Sequence, residues 1–241
     1  MPQDTIYSQR LAQVGQFEFD DGVVDVFPDM IARSVPGYSS MLAMVEQMTR
    51  THAAPHSHLY DLGCSLGAAT ECIRQHAPAS CTLHAIDNSA AMIARLRDVL
   101  AKSTAGTCET ILHESDIRAV PVENASLVVL NLTLQFLAPA ERLPLLQSIF
   151  DGMQPGGALL LSEKICFDDP GEQQLMTNLH LEFKRAHGYS ELEIAQKRTA
   201  LEETLIPETI SVHIERLKTC GFRTASAWFQ CFNFASIIAI R

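Results

Sequence analysis

Paired cysteines, basic charge and long apolar runs are what this sequence of 241 residues has least of. Its seven cysteines (64, 72, 81, 108, 166, 220 and 231) are scattered and nowhere spaced C-x-x-C. An odd, dispersed set is expected to stay as buried reduced thiols, as in a cytoplasmic protein. Lysine and arginine number 18 against 28 acidic residues, a net charge of −10. Such a surface repels phosphate backbones, so nucleic acid is not an expected partner of the chain by itself. The apolar run near the end, Ile237–Ile240, falls far short of the roughly 20 residues of a membrane-spanning helix. Met1-Pro2-Gln3-Asp4 does not open as a basic segment followed by an apolar one, so no signal peptide is expected. The nine histidines form no H-E-x-x-H and no cluster with cysteine, so no metal is expected; a serine hydrolase is not expected either.

What is present is a core. Hydrophobic residues make up 47% of the chain and mean hydropathy is +0.07, which argues against disorder. The length suits one large domain, or one domain with an insertion. Short apolar runs alternate with amphipathic segments, the rhythm of a parallel sheet with crossover helices. Leu59–Leu62, Leu83–Ile86, Thr110–Leu112 (the weakest), Leu127–Leu130 and Ala158–Leu161 are the successive strands, the last preceded by the turn Pro155-Gly156-Gly157. Continuous apolar runs suit strands covered on both faces.

Ser89 is placed to cap a helix carrying Met92, Leu96 and Val99 on one face. Leu143, Leu146 and Phe150 mark another, with Gly152 as its terminating C′ glycine. Residues 170–206 read as two helices joined at His187-Gly188-Tyr189, the second opening with the capping box Ser190-x-x-Glu193. A further helix runs to Gly221, and the last 20 residues, aromatic and β-branched, read as a hairpin. Residues 1–55 read as mostly helical around a Pro36-Gly37 turn. The expected architecture is α/β: a doubly wound, mostly parallel seven-stranded sheet with a terminal antiparallel hairpin and a helical cap. One domain spans 1–241, its cap drawn from 1–55 and an insertion at 165–206.

The first strand ends Asp61-Leu62-Gly63-Cys64-Ser65-Leu66-Gly67. Glycines there let backbone approach a ligand at the carboxyl end of the sheet. The dinucleotide fingerprint G-x-G-x-x-G is absent; the spacing instead resembles the D-x-G-x-x-x-G variant of motif I in class I S-adenosylmethionine-dependent enzymes. The competing reading is a tight β–α turn with no ligand. Asp87, followed by Asn88 at the end of the second strand, is placed to accept ribose hydroxyls, or to cap the helix after Ser89, or both. Asp116-Ile117 follows the third strand, where an adenine contact and a solvated loop aspartate are equally open. Asn131 ends the fourth strand facing the same crevice. His180 and His187, seven apart on a helix, read as surface residues. The inserted helices also carry Lys184-Arg185 and Lys197-Arg198. Arginine suits bidentate grip of a carboxylate; the alternative is a solvated face paired with Glu182, Glu191 and Glu193.

Several strings together resemble the carboxy-S-adenosyl-L-methionine synthase family. They are Phe27-Pro28-Asp29-Met30, Val35-Pro36-Gly37-Tyr38-Ser39, Tyr60–Ser65, Asn131–Leu137, Gly188–Glu193, Gln196-Lys197-Arg198 and Trp228–Phe234. The likeness covers nearly the whole chain, cap included. Leu132 stands where phenylalanine is common and His187 where asparagine is common; neither falls on an expected contact.

The resemblance implies a methyltransferase-like fold that transfers no methyl group. Such an enzyme takes S-adenosyl-L-methionine and prephenate and yields carboxy-S-adenosyl-L-methionine, phenylpyruvate and water. Prephenate loses carbon dioxide and hydroxide as its ring becomes aromatic; hydroxide takes a sulfonium methyl proton and the ylide captures the carbon dioxide. The product goes to a separate tRNA carboxymethyltransferase that makes 5-carboxymethoxyuridine at the wobble position. Carried over residue by residue, the likeness puts Tyr38 over the ligand and Gly63, Cys64 and Ser65 at its methionine end. Asp87 and Asn88 take the ribose and adenine side, Asp116 and Ile117 frame adenine, and Asn131 lies near the methionyl group. Arg198 binds the new carboxylate and is the one catalytic residue expected. A homodimer is implied, with no metal. A conventional small-molecule methyltransferase is the main alternative, and a non-catalytic adenosyl-binding module a more distant one.

Overall fold

The computed structural model describes residues 2–11, 13–15, 17, 19–104, 106–201 and 204–241. Two helices come first, α1 (Asp21–Ser34) and α2 (Tyr38–His52). Then β1 (His58–Leu62), α3 (Ala68–His76), β2 (Thr82–Asp87), α4 (Ala90–Lys102) and β3 (Glu109–Glu114) alternate. Residues 115–124 join β3 to β4 (Ala125–Asn131) without a helix; α5 (Pro139–Gly152) then leads to β5 (Met153–Lys164). The inserted helices are α6 (Pro170–Ala186) and α7 (Glu191–Leu201); α8 (Ile210–Cys220) leads into the hairpin β6 (Thr224–Cys231) and β7 (Phe234–Ile240).

The seven strands run in the order β3-β2-β1-β4-β5-β7-β6. Pairing is parallel from β3 to β5 and antiparallel for β5/β7 and β7/β6. The chain winds one way from β1 to β3 and the other way through β4 and β5, so the order reverses between β1 and β4. Ligands of such sheets bind at that switch point, beyond the carboxyl ends of the strands.

Strand β4 shows why the sheet is two-sided. Leu127 and Val129 pack with Val45, Ile73 and Leu83 on one face; Val128 and Leu130 pack with Leu146, Ile149 and Leu217 on the other. Only Asn131, at its end, escapes full burial. Each of these side chains contributes roughly 1.5–3 kcal/mol relative to exposure. Strand β3 is at the sheet's edge and mostly half-exposed, which is why its apolar pattern is faint in the sequence.

Ser89 does cap α4, accepting from the Met92 amide, and Ser190 and Glu193 do form a capping box. Three details differ from expectation. The inward face of α4 is Met92, Ile93 and Leu96, with Val99 exposed, and that of α5 includes Leu145, Leu146 and Ile149, with Leu143 exposed. Gly152 is not a left-handed cap; it is the last residue of α5, and a Cβ there would lie 1.8 Å from the Val122 carbonyl oxygen. The described residues before Asp20 form turns, bends and irregular chain rather than helix.

Candidate functional site

A cavity of about 720 Å³ lies across the carboxyl ends of β1 to β5 and beneath the cap, a size within the roughly 300–1,000 Å³ of small-molecule sites. Tyr38, Gly63, Cys64, Ser65, Asp87, Asn88, Asp116, Ile117 and Asn131 all line it. Arg198 does not: it is exposed on α7, and among the described residues it has no ion-pair partner.

The turn after β1 is held by backbone. The Gly63 and Cys64 amides both donate to the Ile86 carbonyl, at 2.8 and 2.9 Å. Gly63 sits at φ +84°, and a Cβ on it would approach Thr133 Oγ1 to 2.3 Å; both facts require glycine. The next residues but one, Ser65 at φ +50° and beyond it Gly67 at +83°, complete the bend into α3. Asp87 fastens this turn to the next. Its Oδ2 accepts the Ser65 amide and its Oδ1 the Ser89 amide, both at 2.9 Å. Lone pairs remain on both oxygens for further donors. Burial pushes the Asp87 carboxyl up, against the pull of those amides.

Gly63–Gly67 also spells G-x-S-x-G, the pattern of a hydrolase nucleophile elbow. The geometry does not make Ser65 such a nucleophile. Ser65 Oγ donates to Met92 Sδ at 3.5 Å, and no histidine nitrogen is bonded to it among the described residues. Burial also drives the Cys64 thiol up, so it is not a thiolate nucleophile.

Two buried acceptors on the cavity wall lack partners among the described residues: Asp61 Oδ1 and Asn131 Oδ1. A buried polar atom without a partner is costly, so each calls for a donor, from a ligand or an ordered water. The other oxygen of Asp61 accepts from Thr70 Oγ1 at 2.6 Å, and burial lifts the carboxyl to about 6. Asp61 is the first letter of the D-x-G-x-x-x-G string, and that was its signal. Asp116 is tied instead to Arg118, through the backbone amide and Nε at 2.8 Å, and this guanidinium, which also pairs with Glu141, holds its carboxyl low.

The basic pairs divide. Lys184 and Lys197 line the cavity with Lys164 and His180, whereas Arg185 pairs with Glu182 and Glu191 outside. Adjacent residues on a helix project about 100° apart, so a KR dipeptide at a boundary sends one side chain in and one out. His180 is buried, with Nε2 donating to the Ser34 carbonyl at 2.8 Å, contrary to the expected surface position; His187 is exposed. Lys197 Nζ donates to Asp4 Oδ2 at 3.2 Å, Ser34 Oγ at 3.0 Å and Tyr189 Oη at 3.1 Å. No sequence pattern marked Lys164, the last residue of β5. All seven cysteines are free.

Among the described residues no group of three or more His, Cys, Asp or Glu is arranged to hold a metal. No helix among them is long and apolar enough to cross a membrane.

Sheet order, the glycine turn and the acidic residues along the strand ends together define a class I S-adenosylmethionine-dependent methyltransferase fold. Residues 59–157 match the methyltransferase domain family. An O-methyltransferase family protein from Burkholderia thailandensis superposes with TM-score 0.64 at 18% identity. Human N-acetylserotonin methyltransferase, solved in complex with SAM, does so with TM-score 0.63 at 17%. The match covers 92% of this chain in both cases, but only 60% and 55% of those longer chains. The nearer likeness is to carboxy-S-adenosyl-L-methionine synthases. That of Trichlorobacter lovleyi is 54% identical over 239 residues, covering 99% of this chain and 98% of the relative. That of Vibrio cholerae is 49% identical over 241 residues, 100% and 98% respectively. The chain belongs to the carboxy-S-adenosyl-L-methionine synthase family and is an enzyme, a transferase with S-adenosyl-L-methionine as a substrate.

Proposed function

We propose that the chain converts S-adenosyl-L-methionine and prephenate to carboxy-S-adenosyl-L-methionine, phenylpyruvate and water. The observation that carries this beyond the family name is the cavity's division into two ends. Asp61 and Asp87 lie on the β1 and β2 side, suited to a cationic sulfonium with its ammonium and ribose. Lys164 and Lys184 lie on the β5 and α6 side, suited to an anionic co-substrate.

The bonds balance. The C–C bond to the ring carboxylate and the ring C–OH bond of prephenate break, giving carbon dioxide, hydroxide and phenylpyruvate. Hydroxide takes one proton from the sulfonium methyl and becomes water. The ylide carbon then forms the new C–C bond to carbon dioxide. The residues bind both molecules side by side, exclude water and offset charge. In this reading Asp87 and Asn88 hold ribose and adenine, Asp116 and Ile117 frame the base, and Tyr38 covers the ligand. Gly63, Cys64, Ser65 and Asn131 flank the methionyl part, whose ammonium meets Asp61 Oδ1.

Arg198 grips the new carboxylate. Because its side chain is exposed, it arrives either by turning inward on its own chain or from the second copy of a homodimer. Mixing Arg198→Ala with Asp87→Ala separates these: activity regained on mixing means that arginine and pocket belong to different chains. The product would pass to a separate tRNA carboxymethyltransferase working in the cytoplasm, and the net charge of −10 supports an enzyme that handles no RNA itself.

The test uses prephenate labelled with ¹³C in the ring carboxylate. Mass spectrometry is expected to find the label in a carboxylated S-adenosylmethionine. Accumulation of S-adenosylhomocysteine with a methylated acceptor, and no labelled adduct, would refute the reading in favour of a conventional methyltransferase.

A further inference from the structure

We infer that Lys164 and Lys184 form an anion subsite that holds the 2-oxo-carboxylate of the co-substrate, the carboxylate that survives the reaction. The inference rests on the proposed function for the identity of the co-substrate and extends it to particular residues.

Lys164 closes β5, and Lys184 reaches the same cavity from α6. In the order β2-β1-β4-β5, Lys164 is three strand spacings from Asp87, or ~14 Å along the sheet edge. Lys164 therefore stands away from the ribose position, and Lys184 is near enough for the two charges to interact. Neither ammonium has a hydrogen-bond or ion-pair partner among the described residues, whereas neighbouring Lys197 is satisfied by Asp4, Ser34 and Tyr189. Two unpartnered cations facing one cavity repel each other and resist burial. Burial, then Lys164, Lys197 and Arg198, lower Lys184 to about 7, and burial lowers Lys164. An arrangement this unfavourable when empty becomes favourable when an anion enters.

The two carboxylates of prephenate make different demands. The ring carboxylate leaves as neutral carbon dioxide, so a cation gripping it would stabilise the reactant more than the transition state and slow the reaction. The side-chain carboxylate keeps its charge throughout. A cation there binds reactant and transition state alike, which governs KM and leaves kcat alone. That is the carboxylate these lysines suit. The ring then points back toward the sulfonium.

The test measures Lys164→Gln, Lys184→Gln and Lys184→Arg. Loss of either charge is expected to raise the KM for prephenate on the order of ten- to a hundredfold, with kcat and S-adenosylmethionine affinity held within a few-fold. Lys184→Arg, which keeps the charge, recovers most of the loss. Melting temperatures of the glutamine variants should hold or rise, because an unpartnered buried charge has been removed. Unchanged KM overturns the inference. So does a matching loss of S-adenosylmethionine affinity, which would put the methionine carboxylate at these lysines. A fall in kcat at constant KM also overturns it, as it would make Lys184 a proton carrier. Phenylpyruvate binding by calorimetry separates this from the underlying reading. If the wild-type chain fails to turn over prephenate, the reading fails. The subsite still stands if phenylpyruvate binds the wild type and not the glutamine variants.

Discussion

Asp61→Asn isolates the cost of one buried carboxylate. The side chain is 1% exposed, one oxygen is bound by Thr70 and the other has no partner among the described residues. Burial moves its titration from 3.8 to about 6. Holding it ionised in the empty protein at neutral pH therefore costs on the order of 3 kcal/mol. The sign follows from proton counting. Between about 4 and 6 the folded chain holds a proton that the unfolded chain has released, so stability falls as pH rises through that window. In the proposed binding mode the substrate's ammonium gives the orphan oxygen its donor and favours the ionised form. Affinity for S-adenosylmethionine should thus be full above about pH 6 and decline below it. Asparagine keeps the shape and the Thr70 contact but meets the ammonium without charge. It is expected to weaken binding about ten- to a hundredfold at pH 7.5, as for a lost charged hydrogen bond, and to remove the pH dependence. Calorimetric titration from pH 5 to 8, with melting curves of both ligand-free proteins, checks each part. A wild-type affinity flat across that range, or an asparagine variant with the wild-type profile, would refute the assignment of Asp61 to the ammonium.

Asp87→Ala should also weaken S-adenosylmethionine binding ten- to a hundredfold, and it should lower the melting temperature as well, because the Ser65 and Ser89 amides lose their acceptor; calorimetry and thermal denaturation report the two effects separately. Gly63→Ala drives a Cβ into Thr133 at a left-handed backbone position, so a destabilisation of about 1–3 kcal/mol with loss of cofactor binding is expected in denaturant titrations. With a net charge of −10, the chain should bind tRNA poorly at physiological salt, and a submicromolar, salt-sensitive affinity in filter binding would contradict the division of labour proposed above.

The sheet was legible because buried strands write themselves as apolar runs: β4 and the second half of β5 stand out for that reason. The edge strand β3 was faint because only part of it is covered. The strand-end side of the cavity could be read from Gly63, Asp87 and Asn131, which all line it, since residues at strand ends have few other reasons to be small or polar there. The lysine-lined side, with Lys164 and Lys184, was not legible. Lys164 follows Glu163, whose buried carboxylate accepts the Leu134 and Gln135 amides, and nothing in a Ser-Glu-Lys string distinguishes a strand end from a solvated turn. For the pairs at 184–185 and 197–198, the sequence located a basic cluster but not which member of each pair lines the cavity. Only the helix rotation decides which member faces inward, and that is set by packing across segments far apart in the chain.

Lys197 joins three such segments at a single atom. Its ammonium meets Asp4 near the N-terminus, Ser34 at the end of α1 and Tyr189 ahead of α7. Gln196 beside it receives the Leu11 amide and donates to the Tyr7 and Gln9 carbonyls. The two halves of the cap, separated by the strands and helices between His52 and Pro170, are thereby joined through one set of hydrogen bonds. Neither can peel away without unmaking the other's hydrogen bonds. The amides of α1 and α7 should then exchange with solvent in a shared sub-global opening rather than fray independently. Access to the cavity is then expected to follow that shared opening.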